Sequence, residues 1–125
     1  MIAIIEGQTV NTCTVLIIPA NLTEPARVET IDAGLGNLQT LVAGNIEAVT
    51  IDDWHFYLNE EGKIMQLAPN HRAAQLVLEE TGVLADVYCG DVVVLGETAD
   101  GDEADVPEHL IDTAQQLFGL HQTTA

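Results

Sequence analysis

The sequence contains no serine and very few cations, and both shortages exclude classes of protein. Without serine there is no Ser-centred catalytic triad and no G-x-S-x-G nucleophile elbow, and the phosphate-binding loop G-x-x-x-x-G-K is absent too. Three Lys and Arg stand against 20 Asp and Glu, so the formal net charge is -17. Because nucleic-acid binding depends on cations that neutralise phosphates, this balance argues against direct binding of DNA or RNA and against an anionic membrane surface.

Long apolar segments and paired cysteines are also missing. The apolar runs, such as TVLIIPA and DVVVLG, are far shorter than the roughly 20 residues that cross a bilayer, and nothing resembles a signal peptide. We therefore expect a cytoplasmic protein. Cys13 and Cys89 form no C-x-x-C motif, so neither a redox centre nor a thiolate zinc site is indicated. Both thiols are expected to be buried, and a disulfide between them lacks support.

The rest of the composition is that of a folded protein. Hydrophobic residues make up 47% of the chain, which is too many for a disordered protein despite the acidic charge. The length fits one domain over residues 1–125, and no repeat or linker divides it. The predicted strands and helices do not alternate throughout as β-α-β units. We therefore expect an α+β domain, a mostly antiparallel sheet with two or three helices packed on one face.

Composition and spacing predict the elements of this domain. Residues 1–6 and 13–18 are predicted to be two pairing strands joined by the connector EGQTVN. Residues 26–32 alternate weakly and residues 46–52 alternate in polarity, which predicts two further strands. Residues 86–97 predict a strand that is broken at its glycine and lies centrally in the sheet.

Helical spacing predicts three helices. The first carries leucines from Leu35 onward and ends at the Gly-Asn pair that follows its last turn. The second begins at the N-cap Asn70 and ends at Gly82. The third is predicted to begin with a capping box formed by Asp105 and Glu108.

The stretch HFYLNEEGKIMQL is predicted to be a β-hairpin with the loop EEG. Gly62 would adopt the left-handed conformation that such a loop requires. The resulting register would pair Asn59 with Lys63 and Tyr57 with Met65, and the two glutamates of the loop would form a polar tip.

A cationic corner is one candidate site. Lys63, His71 and Arg72 are expected near the start of the second helix, where unpaired N–H groups and the helix dipole favour an anion. Such a site would bind or sequester an anionic nucleotide. The candidate ligand-binding residues are Tyr57, Asn59, Lys63, Asn70, His71 and Arg72. The structural alternative is that Asn70 only caps the helix and Arg72 pairs with a local carboxylate.

An acidic segment near the C-terminus is the other candidate site. A face covered with carboxylates would bind a partner protein that has a basic surface, and it would compete with phosphates if that partner processes nucleic acid. The residues of this acidic face are Glu97, Asp100, Asp102, Glu103, Asp105, Glu108 and Asp112. The simpler alternative is that the charge only keeps the protein soluble.

No residue pattern indicates catalysis. The four histidines form no H-x-H or H-E-x-x-H motif, so we expect no metal site, no cofactor and no enzymatic activity. A weaker alternative is a metal-dependent hydrolase, in which His55 joins Glu47 or Asp91 across the sheet. The acidic loop DGDEAD lacks the ligand order of a calcium-binding EF-hand.

Four segments occur in the order LQTLVAGNIEAV, YLNEEGK, LAPNHRAAQL and GDVVVLGE. Together, residues 38–97 resemble a small domain of unknown function found in actinobacteria and their bacteriophages, with the pattern G-x-I-E, N-E-E-G-K, N-x-x-A and G-D-V. The matching positions are Gly44, Ile46, Glu47, Asn59, Glu60, Glu61, Gly62, Lys63, Asn70, Ala73, Gly90, Asp91 and Val92. The resemblance supplies no activity and no catalytic residue.

What the resemblance implies is a small accessory protein, often phage-borne, that associates with host functions. The leading hypothesis is therefore an acidic, phage-encoded protein that binds and inhibits a host defence or nucleic-acid-processing protein in the host cytoplasm, by nucleic-acid mimicry where the partner binds nucleic acid. The alternative is the nucleotide-binding protein described above. Self-association is left open.

Overall fold

A computed structural model describes residues 2–5, 8–84 and 86–121, with side chains from Thr12 onward. Within these residues the chain forms seven strands and three helices. They are, in chain order, β1 (Ile2–Ile5), β2 (Gln8–Ile18), β3 (Arg27–Asp32), α1 (Leu35–Val42), β4 (Ile46–Ile51), β5 (Trp54–Asn59), α2 (His71–Thr81), β6 (Val92–Glu97), β7 (Glu103–Ala104) and α3 (Glu108–Leu117). β2 begins inside the segment predicted to be a connector, at Gln8.

The strands form one antiparallel sheet, which confirms the predicted α+β class. Its order is β1-β2-β6-β5-β4, with β3 paired to β2 and β7 paired to β6. β6 lies between β2 and β5, so the apolar run of this strand is central, as predicted. Its registers match Val94 with Leu16 on one side and with Phe56 on the other.

Helices cover both faces of the sheet. Successive residues of β6 point to opposite faces, and all of Val92–Leu95 are at most 1% exposed. Val92 and Val94 pack into a core that contains α2 and α3, whereas Val93 and Leu95 pack into a second core that contains α1. Two helices therefore share one face as expected, and α1 covers the other face because β6 is apolar on both sides.

The hairpin predicted after β5 does not form. β5 pairs with β4 along one edge and with β6 along the other; Tyr57, for example, lies opposite both Ala48 and Val93. With both edges occupied, residues 60–66 form turns instead of a strand. Gly62 is not among the residues with positive φ. A Cβ at this position would lie 2.7 Å from the Cys89 carbonyl oxygen, so a close backbone approach is what requires glycine.

The predicted ends of α2 are confirmed, but those of the other helices are not. Asn70 Oδ1 accepts a hydrogen bond from Ala73 N at 3.0 Å, and Gly82 ends α2 in the left-handed region at φ 76. α1 ends at Ala43, also left-handed, just before the predicted Gly-Asn pair. The capping box of α3 is absent, since Pro107 precedes the helix and Asp105 instead accepts a hydrogen bond from a strand.

Both cysteines are buried, as predicted: Cys13 is 3% exposed and Cys89 is 8% exposed. In the part of the chain that the structure describes, no helix has the length and apolar character of a membrane span.

Candidate acidic site

The end of the sheet where β6 meets β7 brings two glutamates together. The register pairs Glu97 with Glu103 and Gly96 with Ala104. Gly96 permits this pairing because a Cβ there would clash with the carbonyl oxygen of Asp105. The acidic segment is anchored to β2 as well: Asp105 Oδ1 accepts a hydrogen bond from Thr14 N at 2.8 Å. Glu97, Glu103 and Asp105 are therefore held by the sheet rather than lying in a free loop.

His55 lies between the two paired glutamates. Its side chain is buried, with Nε2 2.7 Å from Glu103 Oε1 and Nδ1 3.7 Å from Glu97 Oε1. Like charges at opposite positions of neighbouring strands repel each other. His55 Nε2 makes a hydrogen bond to Glu103, whereas the 3.7 Å contact between Nδ1 and Glu97 is too long for one.

This arrangement differs from the metal-binding alternative considered for His55. Its carboxylate partners are Glu97 and Glu103 rather than Glu47 or Asp91, and they lie at different nitrogens of the ring. Among the described residues, no group of three or more His, Cys, Asp or Glu side chains is arranged to hold a metal ion.

Tyr57 extends the same network. Its hydroxyl donates to Glu103 Oε1 at 3.1 Å, and its ring meets His55 edge-on at 5.1 Å between centroids. Burial, followed by the negative charge of Glu103, raises the pKa of Tyr57 far above its usual value. Burial and the charge of Asp86 likewise raise the pKa of Tyr88.

We expect ionisation of the two tyrosines to be coupled to unfolding. The pKa of each tyrosine in the folded protein lies above its ordinary value of 10.0. The contribution of each neutral phenol to the free energy of unfolding is therefore complete below pH 10.0, and it is lost as the pH rises through the pKa of the folded protein. Phenolate absorbance should therefore appear at higher pH in native protein than in chemically unfolded protein. Tyr57→Phe should remove half of the signal. Identical titrations of native and unfolded protein would contradict the burial of both phenols.

A groove lies beside Tyr57, and we call it the α1 groove. It has a volume of about 360 Å³. One side is apolar and the other is acidic. Its lining residues are Ala33, Leu35, Leu38, Ile46, Tyr57, Gly101, Asp102 and Glu103.

The predicted acidic face is largely open to solvent. Its exposed members are Asp100, Asp102, Asp105, Glu108 and Asp112, while Glu97 and Glu103 are partly buried. Sequence reasoning missed two further carboxylates at this end. Glu97 N donates to Asp53 O at 3.1 Å, which places the exposed Asp52–Asp53 turn beside β6. The local sequence carries no signal for this, because the register between β5 and β6 brings the turn there.

None of the seven acidic-face residues pairs with a Lys or Arg within the described part of the chain. Arg27 Nε contacts Glu29 Oε1 at 2.7 Å, and Lys63 Nζ contacts Asp86 Oδ1 at the same distance. Arg72 is buried in a different region. Among the described residues, this face therefore has no Lys or Arg within ion-pair distance.

The candidate cationic corner is not assembled. Arg72 is 8% exposed, and its Nη2 donates to the carbonyl oxygens of Pro19, Asn21 and Glu24 at 2.6, 3.1 and 2.8 Å. Burial lowers the pKa of Arg72, and the charge of Glu24 acts in the opposite direction. The guanidinium thus binds the loop before β3 instead of pairing with a carboxylate or facing a ligand.

The two asparagines of the same candidate site are also internal. Asn70 Nδ2 donates to Ile18 O at 2.8 Å and to Gly90 O at 3.0 Å, in addition to capping α2. Asn59 Nδ2 donates to Ala43 O at 3.1 Å, at the end of α1. Both side chains are at most 3% exposed. They connect elements of the fold.

The remaining two candidates, His71 and Lys63, are exposed. Lys63 borders a cavity of about 100 Å³ that Asn59 and Tyr88 also line, and this is well below the roughly 300 Å³ at which small-molecule sites begin. Three carboxylates border the same cavity, those of Glu47, Glu60 and Asp86. The surroundings of Lys63 therefore do not suit an anionic nucleotide.

Comparison with known proteins identifies a family and a fold. The model of the family described as Domain of unknown function (DUF3846) matches residues 13–119. This confirms the resemblance to a domain of unknown function and extends it beyond residues 38–97. No curated protein matches the sequence. The crystal structure of small RNA methyltransferase HEN1 is similar with a TM-score of 0.57 at 13% identity, over 86% of this chain and 16% of that chain. At this identity the likeness shows the fold alone.

Proposed function

Since the chain belongs to the DUF3846 family of domains of unknown function, we propose that it is a non-enzymatic acidic accessory protein of phage origin that binds a basic surface on a host protein. The carrying observation is that seven carboxylates share one region of the molecule and none pairs with a Lys or Arg within the described residues. The motifs between residues 38 and 97 support the phage context.

Charge repulsion within this region supports a binding role. Glu97 and Glu103 are cross-strand neighbours, and Glu108 and Asp112 are both exposed and four residues apart on α3. Each such like-charge pair lowers the free energy of unfolding by about a few tenths of a kcal/mol, which is similar in size to the gain from a pair of opposite charges. Bringing Lys and Arg side chains of a partner to this surface would remove the repulsion and add attraction.

The negative potential of this region reaches the sheet interior. Burial, followed by the charges of Asp105 and Glu103, raises the pKa of the Cys13 thiol on β2.

Exposed charges separated by more than about 10 Å are screened at 0.1 M salt, so attraction to a partner depends on carboxylates that lie close together. If the partner's basic groove normally holds nucleic acid, the acidic face would occupy it in place of phosphates and inhibit the partner.

Two variants with the same net charge test whether the location of the carboxylates matters. The first variant neutralises four exposed residues of the acidic face and leaves Glu97, Glu103 and Asp105 in their structural contacts. Its substitutions are Asp100→Asn, Asp102→Asn, Glu108→Gln and Asp112→Asn. We expect it to retain host proteins from a bacterial lysate about ten-fold less well than the unmodified protein, because focused charge governs association rates over such a range.

The matched control variant neutralises four exposed glutamates elsewhere. Its substitutions are Glu47→Gln, Glu60→Gln, Glu61→Gln and Glu79→Gln. This variant should retain the same host proteins as the unmodified protein, and rising salt should release them in both cases. A captured nucleic-acid-binding protein should also lose its labelled DNA to the unmodified protein. Equal retention by the two variants would show that the charge acts only on solubility, and retention that is insensitive to salt would rule out mimicry.

A further inference from the structure

One wall of the α1 groove is apolar. Leu35, in the first turn of α1, is 60% exposed, whereas Leu38 is buried and Ile46 is partly buried beside the groove. An exposed leucine beside carboxylates gives a partner side chain a surface on which its methylene groups can pack. This wall alone would suit many apolar groups, so the opposite wall determines the charge of the occupant.

The opposite wall carries two carboxylates. Asp102 is exposed, and its backbone is held by Thr98 through hydrogen bonds of 2.9 and 3.0 Å, which fixes where its side chain leaves the backbone. Among the described residues, His55 and Tyr57 both hydrogen-bond to Oε1 of Glu103. Oε2 takes no part in these two bonds, so it can accept a hydrogen bond from a group entering the groove.

Tyr57 and the N-terminus of α1 also affect the binding of a cation in the groove. Tyr57, held by its hydrogen bond to Glu103, contributes an aromatic ring, and aromatic faces attract cations. The N-terminus of α1 carries partial positive charge, which opposes a cation near Leu35. Asp32 offsets this effect, because its Oδ1 accepts a hydrogen bond from Gly34 N at 3.0 Å beside the helix start.

We propose that the α1 groove binds one arginine side chain of the basic partner, an inference that rests on the proposed function and specifies its recognition chemistry. The aliphatic part packs on Leu35, and the guanidinium donates to Asp102 and Glu103 beside the Tyr57 ring. Arginine fits better than lysine, because its planar guanidinium can both stack on an aromatic ring and donate to two carboxylates.

The test uses two small probes of the same shape on the full chain labelled with ¹⁵N. N-acetyl-arginine amide carries the guanidinium, whereas N-acetyl-citrulline amide replaces it with a neutral urea. The arginine probe should give saturable shifts in the amide signals of Leu35, Gly101 and Asp102. The citrulline probe should bind about ten-fold more weakly or not at all, since it lacks the charge-assisted hydrogen bonds. Equal binding of both probes, or shifts confined to other regions, would overturn the assignment.

Two single substitutions on opposite walls localise the interaction. Asp102→Asn and Leu35→Ser both alter exposed side chains, so the fold should tolerate them. Each should weaken binding of the arginine probe by about three-fold, the scale of one exposed ion pair or of a small apolar contact. Glu60→Gln and Leu22→Ser are the matched controls, because Glu60 is exposed and Leu22 is 65% exposed outside the groove. The two controls should bind the probe as the unmodified protein does.

Leu35→Ser also separates this inference from the proposed function, because it changes no charge. In the host-protein assay it should weaken retention, whereas Leu22→Ser should not. If the arginine probe does not bind but the two equal-charge variants still differ in retention, the groove assignment is wrong and the proposed function stands. If the probe binds the groove but the equal-charge variants retain host proteins alike, the proposed function is wrong.

Discussion

Arg72→Ala should lower the free energy of unfolding by about 4 kcal/mol, since hydrogen bonds to a charged group contribute about 1.5–3 kcal/mol each and the buried Pro19 carbonyl would lose its donor. The guanidinium holds the Pro19, Asn21 and Glu24 carbonyls from its position on α2. Its Cζ also lies 5.9 Å from the centroid of the Phe118 ring, at the end of α3. One side chain thus connects two helices and a loop, and chemical denaturation would measure the loss.

Arg27→Ala is the matched control for this prediction. Arg27 pairs with Glu29 on the exposed edge of β3, and an exposed ion pair contributes at most about 1 kcal/mol. Arg72→Lys should fall between the two alanine variants, because an ammonium keeps the charge but cannot reproduce the planar guanidinium. Equal losses for Arg72→Ala and Arg27→Ala would show that the buried contacts contribute nothing particular.

Asn70→Ala should cost about 3 kcal/mol, of which the helix cap accounts for roughly 1 kcal/mol and the unsatisfied carbonyls for the rest. Asn70 Oδ1 caps α2 at Ala73 N, and Nδ2 donates to Ile18 O and Gly90 O. The amide therefore needs both its acceptor and its donor. Thermal or chemical unfolding of the variant measures the combined effect.

Asn70→Asp separates the two roles of the amide. Asp and Asn are nearly equivalent as helix caps, but a carboxylate would direct its second oxygen at the Ile18 and Gly90 carbonyls. We expect Asn70→Asp to be at least as destabilising as Asn70→Ala at neutral pH, and to recover part of the loss at acid pH, where a protonated carboxyl can donate again. The control is Asn21→Asp, at an exposed turn where the side chain uses its Oδ1 to accept hydrogen bonds from Thr23. It should leave the free energy of unfolding nearly unchanged. A mild effect of Asn70→Asp at neutral pH would contradict the donor role.

These two residues explain why the predicted cationic corner is not assembled at the surface. The segment PNHR carries the local features of an anion-binding helix start, and the prediction of an Asn70 cap for α2 is confirmed. The segment PNHR carries no information about where residues 18–24 lie in the fold. Carbonyl oxygens of those residues accept hydrogen bonds from Asn70 and Arg72, which are more than 45 positions away in the chain. The local sequence therefore does not show that Arg72 is buried.

The hairpin prediction failed for a related reason. The loop EEG between two apolar segments is a valid local signal for a hairpin, and β5 does form over Trp54–Asn59. A central strand has only two edges, however, and β4 and β6 occupy both of them. The long-range pairing of apolar β6 buries more surface than residues 63–67 could, so residues 63–67 lie outside the sheet.

The sequence by itself determined the α+β class, most strand positions, both ends of α2 and the sign of the surface charge. Each of these depends on composition or on residues close together in the chain. Only the tertiary structure decided that α1 covers the opposite face, that Arg72 is internal, and that His55 lies between Glu97 and Glu103. Nε2 of His55 and its closest carboxylate are 48 positions apart. Such contacts depend on strand order and register, which follow from the packing of the whole chain and leave no local pattern in the sequence.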